Sequence, residues 1–180
     1  MPLYDLEHVT PLSDSQQEQL AKAFTAIHTK RFRTPSFFIN VRFTDVSTQK
    51  VFRGGVRRLY NRAILRTRVS ENRTDEEYER HCLDLIEAWN RIVVGDVSEN
   101  APTHSGTLIK PELTLRTVWV MGALTTAVEL GIQRPTAGKE IQWLRDNKGE
   151  FQRLAEEGDE DMKGLLEELR TREDFAEVWH

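Results

Sequence analysis

The sequence predicts an α+β fold in which two β-α-β units build one four-stranded sheet, with both long helices on one face of it. Two capping boxes mark the starts of two helices. Each helix is flanked by stretches in which apolar and polar residues alternate, as they do in half-buried strands. The two units have similar lengths of about sixty residues, so the chain contains an internal repeat of architecture rather than of sequence.

The first unit opens with a strand predicted over residues 2–9. A helix follows, because Ser13 and Gln16 have the spacing of a capping box. One stripe of this helix is formed by Leu20, Phe24, Ile27 and Arg31. His28 lies at the edge of that stripe. A second strand is predicted over residues 37–44, and the order strand, helix, strand implies a parallel pair with a right-handed crossover.

The second unit repeats this pattern after a loop marked by Gly54 and Gly55. Side chains that alternate with polar residues predict a third strand, at Ala63, Leu65, Thr67 and Val69. Thr74 and Glu77 form the second capping box. The helix that it starts has one apolar face, made of Tyr78, Cys82, Leu85, Ile86, Trp89, Ile92 and Val93. The fourth strand is predicted within Leu115–Met121.

We predict a β-α-β repeat domain over residues 1–131 and a helical C-terminal extension over residues 132–180, which packs on that domain or on a neighbouring subunit. Residues 95–114 form a loop longer than ordinary connections. Breaks in the helical extension are expected at Gly149 and Gly158. Its sparse apolar stripe consists of Trp143, Phe151, Leu154, Met162, Leu165, Leu166 and Leu169.

Composition excludes several classes of protein. Cys82 is the only cysteine, so no intrachain disulfide can form, and the five histidines show no metal-ligand spacing. No apolar run approaches the roughly 20 residues of a membrane span, and the sequence begins without a secretory signal. We therefore expect a cytoplasmic protein with no metal, no other cofactor and no membrane partner.

Arginines are concentrated between residues 53 and 73, where seven arginines accompany a single acid, Glu71. This imbalance favours an anionic ligand, although a solvated surface or a charge match between subunits also explains it. An arginine-rich nucleic-acid segment is a weaker interpretation, because apolar residues interrupt the stretch and the net charge is −4. No nucleic-acid partner is expected.

A sheet with helices on one face leaves its other face uncovered. Self-association is the simplest way to bury such a face. The predicted fold therefore favours a homo-oligomer.

Several short segments, in their order and spacing, carry a resemblance to a known family. They are the opening Met-Pro-x-Tyr, AKAFTAIH ending at His28, FRGGV at 52–56, NRT at 72–74, VWV at 118–120 and VELG at 128–131. Over roughly Pro2 to Trp143 the chain resembles the tautomerase superfamily, and within it the group of cis-3-chloroacrylic acid dehalogenase.

The resemblance implies a 4-oxalocrotonate tautomerase/MIF-like fold that assembles as a homotrimer. It implies that Met1 is removed and that Pro2, then the first residue, lies at the floor of a pocket between subunits. The matching position in relatives makes Arg73 the residue that binds a substrate carboxylate, with assistance from His28. Glu129 matches a catalytic glutamate that helps to activate water.

Elementary chemistry agrees with these roles. An N-terminal proline carries a secondary amine, and neighbouring cations such as Arg68 and Arg73 disfavour its protonated form, so Pro2 can act as a base near neutral pH. A guanidinium also binds a carboxylate through two parallel hydrogen bonds. A purely structural alternative exists, because proline is tolerated at the first position of a strand.

Two positions depart from relatives that add water to haloacrylates. Those relatives have a second arginine three residues before the one that matches Arg73, and this chain has Ser70 there, with Arg68 as the nearest substitute. They also have a tyrosine that acts with the catalytic glutamate, and this chain has Met121 at that position. We therefore predict a tautomerase acting on small enol or unsaturated 2-oxo carboxylates, with Pro2 as general base. The alternatives are a cis-3-chloroacrylate dehalogenase or hydratase, and a catalytically degenerate binding protein of the same fold.

Overall fold

The computed structural model describes residues 2–68, 73–95, 113–122, 128–129, 132–133, 135 and 138–179. Its strands are β1 (Leu3–His8), β2 (Asn40–Asp45), β3 (Phe52–Arg53), β4 (Val56–Arg57), β5 (Asn61–Arg66), β6 (Leu115–Met121), β7 (Val128–Glu129) and β8 (Ile132–Gln133). Its α-helices are α1 (Asp14–Phe32), α2 (Asp75–Trp89), α3 (Glu140–Glu156), α4 (Glu160–Thr171) and α5 (Ala176–Trp179). A π-helical turn, residues 90–94, extends α2.

The central sheet has the strand order β2-β1-β5-β6. β1 is parallel to β2 and β5 is parallel to β6, while β1 and β5 are antiparallel and join the two units at the centre. Each parallel pair is connected through one long helix, α1 or α2. The predicted α+β fold of two β-α-β units is therefore confirmed, together with the additional C-terminal helices.

Both predicted capping boxes are present. The Ser13 hydroxyl accepts a hydrogen bond from the backbone N–H of Gln16, whose side chain in turn binds the Ser13 backbone. Thr74 and Glu77 form the same reciprocal pair at the start of α2. These local interactions satisfy N–H groups that have no partner inside a helix, so they define where each helix begins.

The core of the repeat domain lies between the sheet and the two long helices. Side chains from both layers are almost completely buried there: Tyr4, Leu6, Leu20, Phe24, Ala63, Leu65, Leu85, Ala88, Trp89 and Leu115. Trp89 also donates its indole N–H to the carbonyl of Leu113, 2.8 Å away. Burial of each large apolar side chain contributes about 1.5–3 kcal/mol, so this layer is the main source of stability for the sheet.

The opposite face of the sheet carries charged pairs. Asp5 on β1 lies between Arg42 and Arg66 and forms ion pairs with both. Glu7, two residues further along the strand, pairs with Arg62. At the β6 edge of this face, two large apolar side chains are more than 40% exposed, Trp119 (44%) and Met121 (43%). No helix among the described residues packs on this face, as the one-sided sheet predicts.

The C-terminal helices enclose a second core. Its buried members come from α3, α4, the following 3₁₀ turn and α5: Leu144, Phe151, Met162, Leu165, Leu169, Phe175 and Val178. α3 runs without interruption through Gly149, so the break predicted there is wrong. Glycine inside a helix costs only about 1 kcal/mol relative to alanine, and the buried Phe151 offsets that cost. The predicted break at Gly158 is confirmed, with φ of +104°.

The element bounds differ from the predictions in two places. The segment 36–38 is a 3₁₀ turn and β2 begins only at Asn40, because Pro35 precedes a local turn in which Ile39 donates to the carbonyl of Ser36. β5 ends at Arg66, and Val69 lies outside the described residues, as does most of the predicted loop 95–114. In the described part of the chain, no helix combines the length and apolar character needed to cross a membrane.

Candidate active site

Pro2 lies immediately before β1 and is buried. Its carbonyl accepts a hydrogen bond from the backbone N–H of Asn40, 3.1 Å away, which continues the β1–β2 ladder to the first described residue. Because side chains alternate along a strand, Pro2 shares the helix-facing side of the sheet with Tyr4. The start of the chain is therefore held against the inner layer.

Tyr4 connects the first strand to both long helices. Its hydroxyl lies 2.6 Å from Nδ1 of His28 on α1 and 2.6 Å from Nε2 of His81 on α2. All three side chains are fully buried. Nε2 of His28 and Nδ1 of His81 have no hydrogen-bond partner. Each imidazole therefore binds Tyr4 through one nitrogen, while its other nitrogen is buried without a partner.

The electrostatic environment keeps these groups neutral. Burial lowers the pKa of His28 well below its usual value, and the neighbouring His81 and Arg73 lower it further. Burial and the nearby Arg31 cation lower the pKa of His81 to about 4. Burial raises the pKa of the Tyr4 hydroxyl well above its ordinary value. At neutral pH the triad of Tyr4, His28 and His81 consequently carries no charge.

The Phe32 ring lies in contact with both Arg73 and the triad. The guanidinium of Arg73 lies 4.7 Å from the centroid of the Phe32 ring, and that ring contacts both His28 and His81, with centroid separations of 4.8 and 5.0 Å. One guanidinium nitrogen of Arg73 lies 3.1 Å from Oε1 of Glu140, the first residue of α3. The Arg73 side chain is only 9% exposed. The site therefore contains a nearly buried cation whose partner is a carboxylate from the C-terminal helices.

Arg68 lies just beyond the end of β5. Its guanidinium donates to the carbonyl of Pro135, and its own carbonyl accepts a 3.4 Å hydrogen bond from the Tyr78 hydroxyl. Tyr78 in turn packs against Phe32, with ring centroids 5.3 Å apart. Arg68 and Arg73 are thus linked to the same aromatic group.

The structure brings several of the predicted site residues into one region. The charge of Arg73 acts on His28, and Pro2 lies on the same face as the His28 partner Tyr4. Glu129 belongs to β7, but its side chain lies outside the described part of the structure, and so does Ser70. The roles of all these residues remain predictions.

Met121 is the last residue of β6 and is 43% exposed. Its neighbour Val120 packs against the inner core, so alternation directs the Met121 side chain to the outer, charged face of the sheet. Within a single chain it therefore points away from the triad.

Two residues of the site were not predicted. His81 follows Tyr78 by three positions and precedes Leu85 by four, so its place on the apolar face of α2 was a usable signal. Glu140 offered no comparable signal, because an acid in the first turn of a helix is ordinary. Among the residues that the structure describes, no group of three or more potential ligands is arranged to hold a metal ion.

One protein-family model matches most of the chain. A family model described as "Putative oxalocrotonate tautomerase enzyme" matches residues 1–148. A search of curated proteins finds no match to this chain.

Solved structures share the fold. N1, a member of the cis-3-chloroacrylic acid dehalogenase family, has a TM-score of 0.55 and 18% identity, covering 86% of this chain and 99% of its own. A probable enzyme from the thermophilic fungus Aspergillus fumigatus has a TM-score of 0.53 and 20% identity, covering 82% and 94%. A fused 4-OT described as an asymmetric trimer has a TM-score of 0.50 and 11% identity, covering 73% and 94%. At these identities the likeness establishes the fold alone.

Proposed function

This chain belongs to the oxalocrotonate tautomerase family, and from that premise we propose that it is an isomerase of small enol or unsaturated 2-oxo carboxylates. The observation that carries the proposal is the position of a nearly buried cation, Arg73, near a neutral His28 at the end of the sheet where Pro2 precedes the first strand. Such a site combines an anion anchor with a place for a base.

The proposed base is the secondary amine of Pro2, which exists only after removal of Met1. The amine takes the proton from the enol hydroxyl, so that the O–H bond breaks and a C=O bond forms. The resulting ammonium returns the proton to the substrate carbon, where the electron pair of the enol C=C bond forms the new C–H bond and the C=C bond becomes single. Nothing else enters or leaves, and the base is regenerated. Neighbouring arginines favour this cycle, because they disfavour prolonged protonation of the amine.

The remaining residues hold the substrate. Arg73 binds its carboxylate, a task suited to a guanidinium that is 9% exposed and therefore little screened by water. Arg68 supports the same anion from the end of β5. For His28 we propose an assisting role in substrate binding, through its neutral imidazole near Arg73. For Glu129 we propose a supporting catalytic role.

We further propose that the chain acts as a homotrimer. Support comes from the uncovered sheet face with its exposed apolar residues, Trp119 and Met121, and from the trimer described for the fused 4-OT of the same fold. In this arrangement residues 1–131 form the catalytic domain. The helical extension, residues 132–180, packs on that domain or on a neighbouring subunit.

A hydratase or dehalogenase is the second candidate, favoured by the similarity to a member of the cis-3-chloroacrylic acid dehalogenase family. Hydration requires a water molecule that is held and deprotonated beside an alkene. The thioether of Met121 cannot donate a hydrogen bond for that purpose. Tautomerisation requires only a positioned base and an anchor, so we rank it first.

The deciding experiment identifies the first residue of the purified protein and measures its rate of enol ketonisation. Intact-protein mass spectrometry should show a chain that begins at Pro2, and this protein should ketonise phenylenolpyruvate. Pro2→Ala should lower kcat by roughly 10²-fold or more, because its primary amine replaces the positioned secondary amine. Active protein that retains Met1, or a Pro2→Ala variant with the wild-type rate, would show that Pro2 is not the base. A stable protein without activity would favour the degenerate binding protein.

A further inference from the structure

The carboxylate of Glu140 contacts the cation that the proposed function assigns to the substrate. We propose that Glu140 is a specificity-determining residue, an internal carboxylate that occupies Arg73 until a substrate carboxylate replaces it. This inference rests on the proposed function, because it takes Arg73 as the substrate anchor.

The first argument is the geometry of the pair. Nη2 of Arg73 and Oε1 of Glu140 are 3.1 Å apart, and the two side chains are 9% and 12% exposed. The Phe32 ring also lies against the guanidinium, with its centroid 4.7 Å from the guanidinium carbon of Arg73. A cation that is withdrawn from water to this degree needs a counter-charge, and Glu140 supplies it in the substrate-free chain.

The second argument is charge balance. If a substrate carboxylate bound while Glu140 stayed in place, two anions would share one poorly solvated guanidinium, which is unfavourable. Exchange of one carboxylate for the other keeps the pair neutral. We therefore expect the site to bind a substrate with one carboxylate. A neutral ester of the same substrate has no negative charge that could replace Glu140 at Arg73.

The third argument is that Glu140 can leave at low cost. It is the first residue of α3, and Lys139 before it makes no side-chain cap to the helix. A carboxylate near a helix N-terminus is stabilised by the unpaired N–H groups and the helix dipole. Once released from Arg73, Glu140 can remain at this end of α3 and retain that stabilisation.

A second contact ties the same region to the site. The guanidinium of Arg68 donates to the carbonyl of Pro135, only five positions before Glu140. Both predicted anchor residues therefore contact the beginning of the C-terminal extension. Because Glu140 is the first residue of α3, its displacement would change the contact between α3 and Arg73. The C-terminal extension would thereby contribute to substrate selection.

The test is a binding titration that does not depend on turnover. Acrylate serves as the carboxylate probe, followed by ligand-observed NMR for wild type, Glu140→Gln, Glu140→Ala and Arg73→Ala. If Glu140 occupies Arg73 about nine-tenths of the time, its neutralisation should tighten acrylate binding roughly tenfold. Methyl acrylate should show no such gain. Circular dichroism verifies that each variant is folded, and the glutamine variant preserves side-chain volume.

Glu168→Gln is the matched control. Glu168 pairs with Arg172 at 2.6 Å and is 13% exposed, and it also accepts hydrogen bonds from Ser36, so its partners differ from Arg73 and acrylate affinity should not change. In the Arg73→Ala background, Glu140→Gln should also give no gain. Unchanged or weaker acrylate binding by both Glu140 variants would overturn the inference.

Kinetics on phenylenolpyruvate separates this inference from the proposed function. Glu140→Gln should lower KM in the same proportion while kcat changes little. If the wild type fails to ketonise the substrate but Glu140→Gln still binds acrylate more tightly, the proposed tautomerase activity is refuted, while competition between Glu140 and the ligand carboxylate for Arg73 is supported. If the wild type is an active tautomerase whose KM changes in Arg73→Ala but not in Glu140→Gln, the activity is supported and the role of Glu140 is refuted.

Discussion

The hydroxyl of Tyr4 lies 2.6 Å from Nδ1 of His28, and both side chains are fully buried. His81 approaches the same hydroxyl from the second helix at an equal distance. A phenol has one proton, so Tyr4 donates to one neutral imidazole and accepts from the other. The proton arrangement of one histidine thereby depends on that of its partner, and the first strand is joined to both helices of the repeat.

We predict that Tyr4→Phe destabilises the protein by about 1–3 kcal/mol. The substitution leaves Nδ1 of His28 and Nε2 of His81 buried without a partner, and each unsatisfied group carries a desolvation cost. Urea denaturation at pH 7.5 measures the change. Tyr78→Phe is the matched control, because its hydroxyl makes only a 3.4 Å hydrogen bond, to the Arg68 carbonyl. Equal losses for the two variants would contradict a special contribution from Tyr4.

We predict that stability falls as the pH is lowered from about 6.5 towards 4. His81 titrates near 6.5 in the unfolded chain and at about 4 in the folded one, so the unfolded state binds more protons in this window. Its contribution is complete above pH 6.5 and is lost on acidification, by about 2 kcal/mol at pH 5. The lowered pKa of His28 acts in the same direction.

Urea midpoints at pH 7.5 and pH 5 test this pH dependence. The variant His81→Gln lacks the titrating imidazole and should lose less stability between the two values. Arg31 and Asp84 lie beside His81 as an ion pair with a separation of 2.5 Å, and they remain unchanged in this variant. The same pH dependence in wild type and His81→Gln would rule out His81 as its source.

We predict a homotrimer with a mass of about three times 20.9 kDa in light scattering. Met121→Asp should shift the protein towards monomers, because it places a charge on the exposed apolar edge of the sheet face. Leu83→Asp is the matched control: Leu83 is 64% exposed on α2 and lies away from that face, so the trimer should persist. A wild-type monomer at micromolar concentration would contradict the assembly.

We predict that the enzyme ketonises phenylenolpyruvate more readily than it releases chloride from cis-3-chloroacrylate. Loss of one positioned proton-transfer partner costs about 10²- to 10⁴-fold, and Met121 cannot replace the tyrosine used for water activation. Arg73→Ala should lower kcat/KM for both substrates, because it removes a buried anchor. The loss of transition-state stabilisation should be about 2–5 kcal/mol. Glu129→Gln should affect chloride release more than ketonisation. Efficient chloride release by wild type would reverse the ranking.

Local patterns in the sequence were enough for most of the repeat domain. A capping box needs only residues three positions apart, so Ser13 and Thr74 identified the helix starts directly. The fourth strand was also located within its observed bounds, Leu115–Met121. The motifs that carried the family resemblance lie in this part of the chain, and the family match over residues 1–148 confirms it.

Other features depend on side chains that are distant in sequence. Gly149 suggested a helix break, but packing around Phe151 keeps α3 continuous. His81 reaches Tyr4 across 77 positions, and Glu140 reaches Arg73 across 67. The sequence by itself determined the order of strands and helices and the residue types available for an anion site. Only the tertiary structure decided which histidines contact the Tyr4 hydroxyl and which carboxylate pairs with Arg73, because burial and charge pairing arise when the layers pack together.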